Sequence, residues 1–307
     1  MDPIKGGGMR IKHFSDTDWH KDHPTGTVVF QYCLEGDPMS PENFMLVLGR
    51  QDSDFYMPRH RHNFEQIRLP LVGDMNIGEG AKLKEGQVGY FPEGQPYGPQ
   101  DDPLGKTPPG ERLQLVLQFG GSSGCGFMSM GQRLAARDEL AKIGEFVGPN
   151  YRHPNGKLEW GLNVIWRHVF GERLKYPMPR YPGVVIADPG RFNWIPVPGT
   201  IGVSNKFLGS FSERAAWTEM VRIAPGASWT SSHDTARRLM FVTDGTGSAG
   251  TETIGRYASI QAEPGETLTV TAAQGLQIFL MGLPPVVVPK DVEAEFDLVE
   301  GAVNDHI

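Results

Sequence analysis

Two histidines one residue apart, His60 and His62, head a segment that continues through Asn63, Phe64, Glu65, Gln66, Ile67 and Arg68. Its composition reads as a strand from His60 to Leu69. Side chains on a strand alternate faces, so both imidazoles can aim at one point. Imidazole is the commonest side-chain ligand for Zn, Fe, Cu and Ni. A second segment, Gly86 to Tyr97, reads as a strand that ends in a tight turn at Pro92 and Gly94. Together the two segments describe a metal-centred barrel. The alternative is a polar pair in a barrel without metal.

Other polar residues are placed by the same alternation. Arg68 shares the face of Gln66 and points inward. A buried guanidinium needs a partner, either an acidic side chain or a substrate carboxylate held bidentately. Arg59 and Arg61 fall on the opposite face and read as surface or interface charges. His13, His20 and His23 lie in a polar N-terminal stretch and read as solvated. His168 reads as a packing or capping residue, and Trp160 and Trp166 as core. Gly120, Gly121, Gly124 and Gly126 do not make a phosphate loop, because no Lys-Ser/Thr follows and the context is not strand–loop–helix.

These residues need a scaffold of short strands. Runs such as Thr27–Leu34, Asn43–Leu48, Gln87–Phe91 and Arg112–Phe119 are bounded by Gly, Pro or Asp, as strand–turn sequences are. The 39 Gly and 25 Pro are spread between apolar runs rather than gathered in repeats, which fits many turns and argues against low complexity. The period changes in the middle. Gln132 to Phe146 carries Leu140, Ile143 and Phe146 at helical spacing, and Leu158, Leu162, Ile165, Trp166 and Val169 share a helical face. Strand patterns then return in Trp217–Ile223, Arg238–Thr243 and Leu276–Met281. The expected organisation is a first barrel at 1–127, a helical or irregular connector at 128–180, a second barrel at 181–290 and an acidic tail at 291–307. Each strand-rich half has an apolar strand closed by a glycine, Gly73 or Gly245. A later strand led by Gly86 or Gly265 follows, which suggests internal duplication.

The net charge of −7 and the lack of a Lys/Arg cluster speak against nucleic acid as partner. No apolar run is long enough to span a bilayer, and Met1 to Gly8 has no signal-peptide pattern. Two cysteines, Cys33 and Cys125, make no disulfide framework, which points to a reducing, cytoplasmic setting.

The paired motifs resemble those of the cupin superfamily, and the duplication resembles a bicupin. His60, His62 and Gly73 match the first cupin motif; Gly86, Pro92 and Gly94 match the second. The resemblance implies an all-β fold of two antiparallel β-barrels of the jelly-roll, double-stranded β-helix type, the second degenerate. Counting back from Gly73, the family's metal glutamate falls on Gln66, and its last histidine falls on Tyr97. Glu65 is adjacent but has the wrong parity unless a bulge intervenes. The implied metal ligands are therefore His60, His62 and Gln66. Tyr97 is a ligand or an acid/base, and Arg68 orients an anionic group. In the second half the matching positions are Ser232, Asp234 and Arg238, His233 has the wrong parity, and that barrel is expected to be metal-free.

A neutral amide in place of the carboxylate should loosen the grip on a cation. The cofactor implied is a divalent transition metal, Fe(II) first, with Mn, Ni or Zn as alternatives. The activity implied is that of a non-haem iron oxygenase, a dioxygenase acting on an aromatic or enol. A redox-free isomerase or lyase and a non-catalytic small-molecule binder are the alternatives. Cupins commonly pair through barrel edges, which implies a homodimer.

Overall fold

The computed structural model describes residues 9–23, 27–51, 55–102 and 112–287. Residues 1–8 and the expected acidic tail at 291–307 lie outside them. The described residues divide into two compact units. One holds Trp19–Glu85 and Gly89–Ile186; the other holds the residues up to Asp18, Gly86–Val88 and Ala187–Val287. Both are built of antiparallel strands. No helix among the described residues is long and apolar enough to cross a membrane.

In the first unit the strands Val88–Phe91, Glu65–Val72, Leu113–Phe119, Phe44–Gln51 and Val28–Glu35 lie side by side in that order. Glu65–Val72 is central, and its first six residues are buried. Its register places Gln66 opposite Phe91 and Arg68 opposite Gly89 on one side. On the other side Gln118 faces Gln66 and Val116 faces Arg68. Pro70 interrupts this strand, and the register slips beside it, between Leu113 and Gln114. A proline has no N–H for the ladder and is tolerated at such a slip.

The strand expected from His60 starts later, at Glu65. His60 and His62 instead sit on an extended stretch that pairs with the Pro92–Tyr97 turn. His60 N donates to Tyr97 O at 3.0 Å and Tyr97 N to His60 O at 2.9 Å; Gly94 N donates to His62 O at 2.7 Å. Pro58, two residues before the first histidine, breaks the run. Gly94 must be glycine here. Its φ is +74°, and a Cβ would lie 1.9 Å from Pro177 O.

Two helices follow in the same unit. Helix α1 spans Met130–Ala141 and starts at a capping box between Ser129 and Gln132. It is shorter than the Gln132–Phe146 periodicity suggests, because Phe146 belongs to a strand, Glu145–Val147. Helix α2 spans Gly161–Phe170 and ends at Gly171 with φ +74°. Leu158, expected on its face, lies in the strand Leu158–Trp160. The three-stranded sheet of Glu145–Val147, Asn150–Arg152 and Leu158–Trp160 was not anticipated in the connector. His168 Nε2 meets Glu139 Oε2 at 2.7 Å and ties α2 to α1.

The second unit is one nine-stranded sheet. Two long strands, Arg237–Ala249 and Thr267–Leu283, run through it. Gly245 permits their close pairing: its φ is +86°, and a Cβ would meet Gly275 O at 2.1 Å. Arg10–Lys12, expected with the first barrel, pairs here with Ser259–Ala262. The core includes Val221, Ile223, Met240, Ile260, Ile278 and Leu280, all apolar and almost fully buried.

Candidate active site

The residues singled out in the first unit come together. The rings of His60 and His62 stand 4.9 Å apart at 81°, and His60 lies 4.4 Å from the ring of Tyr97. His60 Nδ1 is 2.7 Å from Pro58 O. A carbonyl only accepts, so Nδ1 carries the proton and Nε2 keeps its lone pair. His62 Nε2 is 3.0 Å from the Tyr97 hydroxyl. That hydroxyl accepts from Arg68 Nη2 at 2.8 Å and from Gln66 Nε2 at 3.4 Å. With both acceptor positions filled, the phenol donates to His62. Arg68 also clasps Gln66 Oε1 with Nε at 2.8 Å and Nη2 at 2.6 Å.

Burial sets the protonation states. Desolvation lowers His60 to about 4, against a smaller raising effect of the Pro58 carbonyl. Desolvation, then the His60 and Arg68 charges, pushes His62 well below its usual value. Both imidazoles are therefore neutral at pH 7, as ligands must be. Burial raises the Tyr97 hydroxyl more than Arg68 lowers it, so the phenol keeps its proton.

Arg68 is buried, and no carboxylate among the described residues pairs with it. Its guanidinium packs 4.5 Å from the Phe91 ring centroid. The acidic-partner reading of Arg68 is thereby set aside for the described residues.

Part of this cluster opens on a cavity of about 140 Å³. His60, His62 and Arg68 line it with apolar walls that include Val28, Phe30, Met45 and Val47. Four lining residues were assigned otherwise or missed from sequence. His23, expected in solvent, stands edge-on to Phe30 at 5.3 Å, and burial with the Arg133 and Arg68 charges lowers it to about 4. Arg61, expected on the surface, lines the cavity and lies 4.6 Å from the Tyr176 ring. Trp166 is buried as expected but also forms cavity wall. Arg133 reaches the cavity from α1. Only Arg133 left a trace in the sequence, as a basic residue four before Arg137 near a helix start.

A metal ion can be tested against these donors. His60 fits, with one nitrogen held by backbone and the other free. His62 fits once the phenol turns from its Nε2. Gln66 and Tyr97 do not fit as arranged, because Arg68 already holds both oxygens and a dication there would face a guanidinium at close range. Gln66, expected as a ligand, has its Oε1 taken up by the Arg68 guanidinium in this structure. The imidazole pair is the part of the expected ligand set that suits a cation. Among the described residues, no group of three or more His, Cys, Asp or Glu is placed to hold one.

The adjoining turn is braced by a buried carboxylate. Glu93 accepts from Ser123 N at 2.8 Å, Ser123 Oγ at 2.7 Å and Arg180 Nη1 at 2.9 Å. It fixes the glycine-rich loop against the motif turn, which gives that loop a structural role.

The matching positions of the second unit do other work. Ser232 and Asp234 are exposed. His233 Nδ1 accepts from Ala236 N at 3.0 Å, and its ring stacks on Trp217 at 4.9 Å. Arg238 is 1% exposed and donates to Ser231 Oγ at 2.9 Å and to the carbonyls of Glu263 and Glu266.

Comparison with known proteins agrees with this architecture. Residues 183–281 match the ChrR cupin-like domain family. The match falls on the half whose motif histidines are missing. No curated protein matches the chain in sequence. Among solved structures, the chain resembles Streptomyces albus HEPD, solved with 2-hydroxyethylphosphonate and Fe(II) (13% identity, 94% of this chain and 78% of that one, TM-score 0.56). It also resembles the Escherichia coli pirin YhhW, solved with nickel(II) (10% identity, 91% and 100%, TM-score 0.52). A third is the Bacillus subtilis oxalate decarboxylase OxdC (14% identity, 94% and 80%, TM-score 0.51). At such identities the likeness concerns the fold. The chain has the cupin fold in two units, and its residues 183–281 match the model of the ChrR cupin-like domain.

Proposed function

We propose that the first unit is the working half of a metal-dependent cupin enzyme that turns over a small organic anion, in the manner of a non-haem iron oxygenase. One observation carries the reading: the neutral imidazoles of His60 and His62 line one cavity with Arg68 and Arg133, which have no carboxylate partner among the described residues, and no Asp or Glu among the described residues lines it. His60 and His62 would hold the cation through Nε2. A bound iron-type cation would supply Lewis acidity and dioxygen chemistry. Two of the structural neighbours were solved with Fe(II) or nickel(II), which supports the choice of a divalent ion.

The chain's own residues have separate tasks. Arg68 Nη1, which makes no hydrogen bond among the described residues, is left for an anionic group of the substrate. Gln66 holds that guanidinium in place. Tyr97 keeps a proton at its hydroxyl and can deliver it once His62 is engaged elsewhere. The apolar walls keep water out and strengthen each polar contact.

The protonated phenol also favours a second, redox-free reading, an isomerase or lyase with Tyr97 as acid. Anaerobic reconstitution with Fe(II), elemental analysis and oxygen-uptake assays on a substrate panel separate these. Stoichiometric metal that is lost in His60→Ala/His62→Ala supports the metal site. Oxygen uptake supports the oxygenase, and turnover without uptake supports the redox-free form. Sub-stoichiometric metal that is indifferent to the double substitution would overturn both and leave a binding protein.

A further inference from the structure

Arg133 is held at a local cost. It is the fourth residue of α1, where the positive end of the helix dipole disfavours a cation. Arg137 lies one turn on, and like charges at that spacing repel. Its surroundings are largely desolvated: burial, then the Arg137 charge, lowers it to about 10. Among the described residues its guanidinium has no hydrogen-bond or ion-pair partner. Arg137 has relief, lying 4.3 Å from the Phe146 ring centroid. Arg133 has the cavity.

Arg68 lines the same cavity, from the strand Glu65–Val72, and also lacks a carboxylate. Arg61 lines the cavity too, with its guanidinium over the Tyr176 ring; Arg68 and Arg133, from separate elements in a protein of net charge −7, form a pair of anion-seeking forks. A monoanion satisfies only one of them. The lining offers apolar surface for methylene groups at Val28, Phe30, Met45 and Val47, alongside the amides of Gln114 and Gln118. Size limits the ligand further. A cavity of about 150 Å³ takes a molecule the size of benzene, and this one is about 140 Å³.

We propose that the cavity recognises a short dianion, with an anionic group at each end of a chain of about three to five carbons, one end held by Arg68 and the other by Arg133. The ligand is a dicarboxylate or a carboxylate–phosphonate. This inference rests on the reading of the cavity as the substrate site and adds the second charge.

The test is calorimetric titration of the full chain with succinate, 3-phosphonopropionate and butyrate, in chelator-treated protein and after anaerobic Fe(II) loading. At least one dianion is expected to bind tenfold or more tighter than butyrate in both metal states. Whichever of the two binds more tightly identifies the second anionic group. Arg133→Gln is expected to erase that preference and to change butyrate affinity by less than threefold. Equal binding of all three probes by the unsubstituted protein, binding of none, or a preference that survives Arg133→Gln overturns the inference. If Arg133→Gln does not fold, Arg133→Lys keeps the charge and loses the fork. It should weaken the dianions several-fold and leave butyrate alone, and equal weakening of all three overturns the inference. Because the metal-free arm reads binding alone, a dianion preference without metal uptake would keep this inference and sink the enzyme proposal.

Discussion

The two units share a strand plan and differ in what their arginines touch. In the first, Arg68 leans on two side chains, Gln66 and Tyr97, and faces a cavity. In the second, Arg238 donates to Ser231 and to two backbone carbonyls, at the side of a pocket it lines with Trp217, Glu219 and His233. A guanidinium tied to backbone carbonyls is a structural brace. One satisfied by an amide and a phenol keeps charge to spare for a ligand. One architecture can thus turn its inward arginine to a ligand or tie it to the backbone, and the difference lies in a few inward positions.

The comparison breaks most sharply at Tyr97 and Arg238. Tyr97→Phe should lower turnover of a substrate found by the uptake panel by about 10²–10⁴-fold if the phenol moves a proton. A loss below tenfold in steady-state kinetics would remove Tyr97 from the chemistry. Arg238→Met should leave turnover per folded molecule unchanged. It should cost about 3 kcal/mol in urea unfolding, since a hydroxyl and two carbonyls lose their donor. An Arg238→Met protein that is stable but inactive would make the second unit a participant.

The pH dependence sharpens the contrast. His60 and His23 sit at about 4 in the folded chain, against 6.5 when unfolded, because burial disfavours their charge. Below 6.5 the unfolded chain binds protons that the folded one refuses. Their contribution is therefore full above 6.5, falls between 6.5 and 4, and levels off below 4. For His60 the loss is on the order of 3 kcal/mol. Urea titrations from pH 7 to 4 should show the decline, and His60→Asn should flatten part of it. An unchanged slope in that variant would mean that the ring is not buried neutral.

The motif glycines are expected to behave alike in both units. Gly94→Ala and Gly245→Ala combine positive φ with a backbone clash and should each cost about 3 kcal/mol or more. Gly86 and Gly265 have φ of +79° and +80° with open space around them, so alanine there should cost only about 1–2 kcal/mol. Differential scanning calorimetry would rank the four. A mild Gly245→Ala would mean that the second unit tolerates a distortion that the first cannot.

The sequence by itself determined the longer strands of both units, because period-two runs between Gly and Pro leave little choice, and the turn glycines, because only glycine adopts those angles freely; it missed the three short strands between Glu145 and Trp160. It also placed His60, His62, Gln66, Arg68 and Tyr97 at one centre, although the alternation argument assumed a strand that begins only at Glu65. Pairing with the Tyr97 turn does that work instead. Tertiary structure alone decided what those groups do. Hydrogen-bond partners of a side chain are set by distance and burial rather than spacing, so the clasp of Arg68 on Gln66 and the Tyr97 bond to His62 were not legible. The same holds for His23 and Arg133. Their local sequence is polar and reads as surface, and only packing against distant strands turns them toward a common cavity.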